Sequence, residues 1–94
     1  MRHYEVTVVI PSDVSDEDVP KVLSTVQGWI EAEGGKVTEF INWGRRRLAY
    51  QIKEYTEANY VLIKSEMSAA MLPEVDRNLK LSQQIIRHLI VRAE

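Results

Sequence analysis

Three consecutive arginines, Arg45-Arg46-Arg47, follow Trp43-Gly44 and precede the apolar run Leu48-Ala49-Tyr50. Guanidinium groups meet phosphate oxygens through paired hydrogen bonds and stack on bases, so this stretch carries the chemistry of a nucleic-acid contact. No acid lies between Arg45 and Lys53 to neutralise it. In a strand, Arg45 and Arg47 point to one face and Arg46 to the other. A charge run is most often a solvated face. Here the strand context, the neighbouring tryptophan and the lack of local acids favour an external partner. Trp43 is read either as closure of the core or as a stacking platform.

Catalysis finds little footing. His3 and His88 fall on different strands and, by parity, on opposite faces, which argues against a shared metal or acid–base role and for two satisfied surface or edge histidines. Asp16-Glu17-Asp18 reads as the solvated start of a helix as readily as a cation site. Gly34-Gly35 is not followed by a helix N-terminus, so it does not make a phosphate loop. No serine or lysine sits in a nucleophile context. The chain is expected not to be an enzyme and to need no metal and no cofactor.

The bulk properties set the frame. Ninety-four residues, 45% hydrophobic and 28% charged, make one soluble domain with one core. A net charge of −2 argues against coating nucleic acid by bulk electrostatics. The distribution is uneven: residues 11–34 hold Asp13, Asp16, Glu17, Asp18, Glu31 and Glu33 against Lys21, whereas residues 44–53 hold Arg45, Arg46, Arg47 and Lys53 with no acid. There is no cysteine, which excludes disulfides and thiolate metal sites. No apolar run approaches the ~20 residues that cross a bilayer. The chain enters a strand pattern at once, with no signal peptide ahead of it, and a cytoplasmic location is expected.

The elements that must position the arginines follow from periodicity. Residues 2–10 alternate as a strand that Pro11 closes. Ser15 with the three acids after it marks a helix start; Val19, Val22, Leu23, Val26 and Ile30 repeat at helical spacing until Gly34-Gly35. Residues 36–52 form a long strand with a bulge at Gly44, residues 55–59 a polar turn, and residues 59–67 a third strand. Ser68 opens a second helix carrying Leu72, Val75 and Leu79, and residues 84–92 form the last strand. Proline follows serine by five positions in both halves (Ser15/Pro20, Ser68/Pro73), which predicts irregular first turns. The order β-α-β-β-α-β specifies an α+β, ferredoxin-like sandwich: a four-stranded antiparallel sheet, order 4-1-3-2, with both helices on one face. Strand parity then leaves Val9, Tyr60, Leu62, Leu89 and Val91 on the helix-free face, an apolar patch that signals an interface unless a bulge slips the register.

The opening "MRHYE", the segment "WGRRRLAYQIK" and the following "ANYVLIKSE" resemble the bacterial small-subunit ribosomal protein six family over the whole chain. The resemblance implies the ferredoxin-like fold, no catalysis, and binding to small-subunit ribosomal RNA together with small-subunit ribosomal protein eighteen during platform assembly, as a monomer when isolated. Gly44, Arg46, Leu48, Ala49, Tyr50, Ile52 and Lys53 match the central motif, and Arg2 and Tyr4 match its start. Gln51 stands where many members carry proline, which reopens an edge hydrogen bond. On this reading Arg2, Arg45, Arg46, Arg47, Lys53 and Arg87 are the RNA-binding candidates, Arg87 being a looser match. Val9, Trp43, Tyr50, Tyr60, Leu62, Leu89 and Val91 are the candidates for the protein partner. Two rivals share the fold. An RNA-recognition motif would carry a basic-Gly-aromatic core in its third strand, which "NYVLIKSE" lacks. A ligand-sensing or self-dimerising module would pair its open sheet face with itself.

Overall fold

The computed structural model describes residues 1–93. Its elements are β1 (Arg2–Pro11), α1 (Val19–Ala32), β2 (Lys36–Ile52), β3 (Tyr55–Met67), a 3-10 turn (Ala69–Met71), α2 (Leu72–Leu81) and β4 (Arg87–Arg92). The sheet runs β2-β3-β1-β4 with every pair antiparallel, which is the ferredoxin-like order the sequence implies. The two helices supply Val19, Val22, Val26 and Ile30 from α1 and Val75 and Leu79 from α2 to the main core. They meet Tyr4, Val6, Val8 and Ile10 of β1 and Val61 and Ile63 of β3. Each such aliphatic side chain contributes about 1.5–3 kcal/mol by leaving water. The parity assigned from sequence therefore holds through the two central strands.

Several boundaries move, each for a local reason. Residues 16–18 form turns ahead of α1, with the amides of Asp18 and Val19 both donating to the Ser15 carbonyl at 2.9 and 3.1 Å. The helix begins at Val19, so the acids precede its first turn instead of filling it. Pro20 and Pro73 both fall at the second helical residue, where a missing N–H forfeits no helix bond. Both helices are thus preceded by irregular turns, residues 16–18 before α1 and a 3-10 turn before α2, as the prolines suggested. The β2–β3 connection is Lys53-Glu54 with β3 starting at Tyr55, not a turn over 55–59. Lys53 takes the left-handed φ of 55° that so short a loop demands. The last strand starts at Arg87, after Ile86 has donated its amide to the Val9 carbonyl at 2.9 Å.

Glycines set where β2 begins and where its ladder slips. At the close of α1, Gly34 has φ +93° and donates to Glu31, while Gly35 donates to Ile30, a Schellman ending. A Cβ on Gly35 would stand 2.8 Å from Ile30 Cγ2 and 3.0 Å from the Glu66 carbonyl, so the strand can enter the sheet this closely only with glycine there. Farther on, the ladder slips between Asn42 and Gly44; Gly44 has φ +79° and its amide donates to the Asn42 side chain at 2.7 Å.

Beneath the helices, His88 of β4 meets the Asp76 carboxylate of α2 at 2.6 Å, and Lys80 approaches the other oxygen at 3.1 Å. The bond to His88 first, and Lys80 second, hold the Asp76 carboxyl below the usual carboxylate range. A depressed carboxyl pKa means that the native state binds fewer protons than the unfolded chain, so its stabilisation is present above the ordinary carboxylate pKa and fades as pH falls through the native value. Urea denaturation of Asp76→Asn should accordingly show a stability deficit near pH 6 that narrows below about pH 4. In the same assay Gly35→Ala is expected to cost about 1–3 kcal/mol, the usual cost of overpacking.

Candidate nucleic-acid and partner interface

The arginine run sits on β2, an edge strand, at the end of the sheet where the β2–β3 hairpin runs past the end of β1. Arg45 lies opposite Asn59, Arg46 opposite Ala58 and Arg47 opposite Glu57. Ala58 belongs to a small cluster with Val9 and Leu48 on the helix-free side, so Arg46 faces that side while Arg45 and Arg47 face the other. All three are exposed, and no ion pair ties them to a carboxylate among the described residues. Arg45 instead donates to the Ser12 carbonyl at 3.4 Å.

Beyond Arg47 the ladder breaks. The next cross-strand pair is Ile52 with Tyr55, so Leu48 to Gln51 on β2 span what Thr56 alone spans on β3. The extra chain bulges over the helix-free face. Leu48 is buried there against Val9 and Ala58, with Ile52, Tyr55, Tyr60 and Ile86 packed around them. Tyr50 reaches across to β4, the opposite edge of the sheet, where its hydroxyl accepts a hydrogen bond from the Arg87 guanidinium. The Arg87 Cζ lies 5.8 Å from the Tyr50 ring centroid, within reach of a cation–π attraction. Between hairpin and sheet lies a groove of about 350 Å³, lined chiefly by Val9, Leu48, Tyr50, Tyr60, Arg87 and Leu89.

This curvature sorts the residues read from sequence. Arg45, Arg46, Arg47 and Lys53 gather on the hairpin, and Arg87 lies at the same end of the sheet, opposite Val9. Arg2 pairs with Met67 at the other end of β1, nine residues or roughly 30 Å from Pro11 at strand rise, so it does not join them. Of the apolar set, Tyr50 (61% exposed), Leu89 (60%), Trp43 and Val91 are open to solvent. Val9 (4%) and Leu62 (9%) point to the helix-free side as parity requires but are covered, contrary to the expectation that they lie exposed. The hairpin roof covers Val9, and Thr7 and Ile41 flank Leu62 in the neighbouring strands. Tyr60 is half-buried.

Sequence reasoning missed Phe40, which pairs with Ile63 yet stays 38% exposed at the β2 edge, and the bond from the Tyr55 hydroxyl to Asp13. The edge position of Phe40 was readable from topology. Nothing local announces a contact across 42 residues. His3 and His88 lie on opposite faces, and no cluster of three or more His, Asp or Glu able to hold a metal occurs among the described residues.

The fold and the surface define a class: a ferredoxin-like α+β domain that presents a cationic ribbon and an apolar sheet face. A family profile described as "Ribosomal protein S6" matches residues 3–92. The chain is 35% identical to the small ribosomal subunit protein bS6 of Carboxydothermus hydrogenoformans over 100% of its own length and 98% of the relative's, and 39% identical to that of Moorella thermoacetica over 100% and 96%. The crystal structure of 30S ribosomal protein S6 from Thermotoga maritima superposes with a TM-score of 0.91 at 28% identity, covering 98% of this chain and 87% of that one. This chain belongs to the ribosomal protein S6 family of the small ribosomal subunit.

The roof over the groove rests on Leu48. Leu48→Ala should lower the urea unfolding free energy by about 2 kcal/mol, the low end for a buried leucine because the site borders solvent. Amide exchange should accelerate from Leu48 to Glu54 before it does so in β1.

Proposed function

We propose that the chain is a structural component of the small ribosomal subunit in the bacterial cytoplasm. It binds small-subunit ribosomal RNA together with small-subunit ribosomal protein eighteen during platform assembly, and it catalyses nothing. The observation that carries this reading is the exposed ribbon Arg45-Arg46-Arg47, unpaired with any carboxylate among the described residues and continued by Lys53 at the hairpin turn. Arginines held this way meet phosphate at little desolvation cost and can also stack on an unpaired base. With so few cations in reach, affinity for RNA alone is weak and the protein partner supplies the rest.

That partner fits the helix-free face. Leu89 and Val91 are exposed on edge strand β4, and Tyr50 and Tyr60 flank the groove beside them. An apolar, aromatic-rimmed surface of this kind gives a protein interface its buried centre. The same exposed pair would serve a self-dimer. The ribosomal reading requires a monomer mass by light scattering for the isolated chain, and a concentration-dependent dimer would favour self-association.

Changing Arg45, Arg46 and Arg47 together to Gln keeps hydrophilic length and removes three charges. Filter binding of small-subunit ribosomal RNA with the partner present should weaken by ~1 kcal/mol or more per engaged arginine, with a shallower dependence on salt. Arg46→Gln is expected to have the largest single effect. Unchanged affinity and slope in the triple variant would reduce the ribbon to a solvated edge.

A further inference from the structure

We propose that Tyr55 and Asp13 are positioning residues for the arginine ribbon, fixing the β2–β3 hairpin before RNA arrives. The proposal rests on the RNA-binding reading above. The ladder of the hairpin is interrupted at Gly44 on one side of the arginines and over the unpaired stretch Leu48–Gln51 on the other, and β3 pairs with β1 only as far as Ala58, so beyond that residue the hairpin has no third strand beside it. Arg45 to Arg47 are therefore a short paired island between two irregularities. Besides that ladder and the packing of Leu48 on Val9, two side-chain contacts tie the hairpin to the rest of the fold. The Tyr55 hydroxyl, on β3, donates to the Asp13 carboxylate at 2.8 Å, and the Arg45 guanidinium, on β2, donates to the Ser12 carbonyl at 3.4 Å. One contact from each strand of the hairpin thus converges on two adjacent residues of the loop after β1.

That loop is itself set, because the Val14 amide donates to the Pro11 carbonyl at 3.0 Å and Pro11 is buried at the end of β1. The Asp13 carboxylate retains the Tyr55 phenolic proton strongly enough to raise the phenol above its ordinary pKa, consistent with a charge-assisted bond. Asp13 and Tyr55 touch none of the arginines' outward-facing charge. Their effect on RNA runs through the entropy of ordering the hairpin, which a preformed hairpin has already lost.

The Tyr55 ring packs against the Val9–Leu48–Ala58 cluster, so Tyr55→Phe keeps the packing and removes only the hydroxyl. Binding of small-subunit ribosomal RNA by the full chain with the protein partner present, measured across salt concentrations, is expected to weaken roughly three- to tenfold in Tyr55→Phe. The salt slope should stay at the wild-type value, since no phosphate contact is lost. Asp13→Asn keeps an acceptor oxygen and should fall between Tyr55→Phe and wild type. Without RNA, hydrogen exchange at the amides of Leu48 to Glu54 should accelerate in Tyr55→Phe while the urea midpoint scarcely moves. Wild-type affinity in Tyr55→Phe alongside weakened binding in Arg46→Gln would overturn the positioning role and leave the RNA reading intact. Wild-type affinity in Tyr55→Phe and in the triple Arg45, Arg46 and Arg47 to Gln variant would remove the RNA role of the ribbon and the positioning role together.

Discussion

The structure depends on one constraint: a β2–β3 hairpin longer than the sheet it belongs to must bury its surplus apolar residues somewhere. The helices already cover the other face with the main core. Leu48 therefore turns onto Val9 and Ala58 on the helix-free side, and the chain around it curves with it. A sheet that would otherwise be open becomes half-closed at one end, with Tyr50 of one edge touching Arg87 of the other. The curvature needs the extra residues between Arg47 and Ile52, since a ladder in strict register would keep the ribbon extended.

This same folding sets where the charges lie relative to the apolar face. Arg46 shares a face with the Leu48 cluster, while Arg45 and Arg47 point the other way, so the ribbon is cationic on both sides of a thin edge. Six acids lie in residues 11–34, before α1 and around its C-terminus, and the hairpin's own Glu54 and Glu57 form no ion pair with the arginines, which is how a chain of net charge −2 presents a locally positive edge. Arg87 occupies a different position. Its bond to the Tyr50 hydroxyl ties it to the apolar groove instead of the ribbon, and that bond raises the guanidinium pKa further.

Much of this was legible in order and parity. Alternation in β1, helical spacing from Val19 to Ile30 and the two halves of similar build specify the ferredoxin-like sandwich, because burial at period two or 3.6 admits few other arrangements. The Gly44 bulge and the helix stop at Gly34-Gly35 were equally readable, since both use backbone conformations that glycine adopts at little cost. Among the elements themselves, the errors fall at boundaries. Acids and a serine mark a helix start only to within a turn, and the position of Pro20 decides where α1 begins.

By itself the sequence determined the fold, the strand faces and the location of the cationic run, all of which are local patterns repeated at fixed periods. Tertiary structure alone decided which side-facing residues are exposed. Val9 and Leu62 have the parity of surface residues and the burial of core ones, because neighbouring strands and the hairpin roof cover them. It alone brought Tyr50 to Arg87 and Tyr55 to Asp13, 37 and 42 residues apart in the chain. It also set Arg2 at the far end of the sheet from the ribbon it resembles in charge. Periodicity says which way a side chain points, and only the packed chain says what stands in front of it.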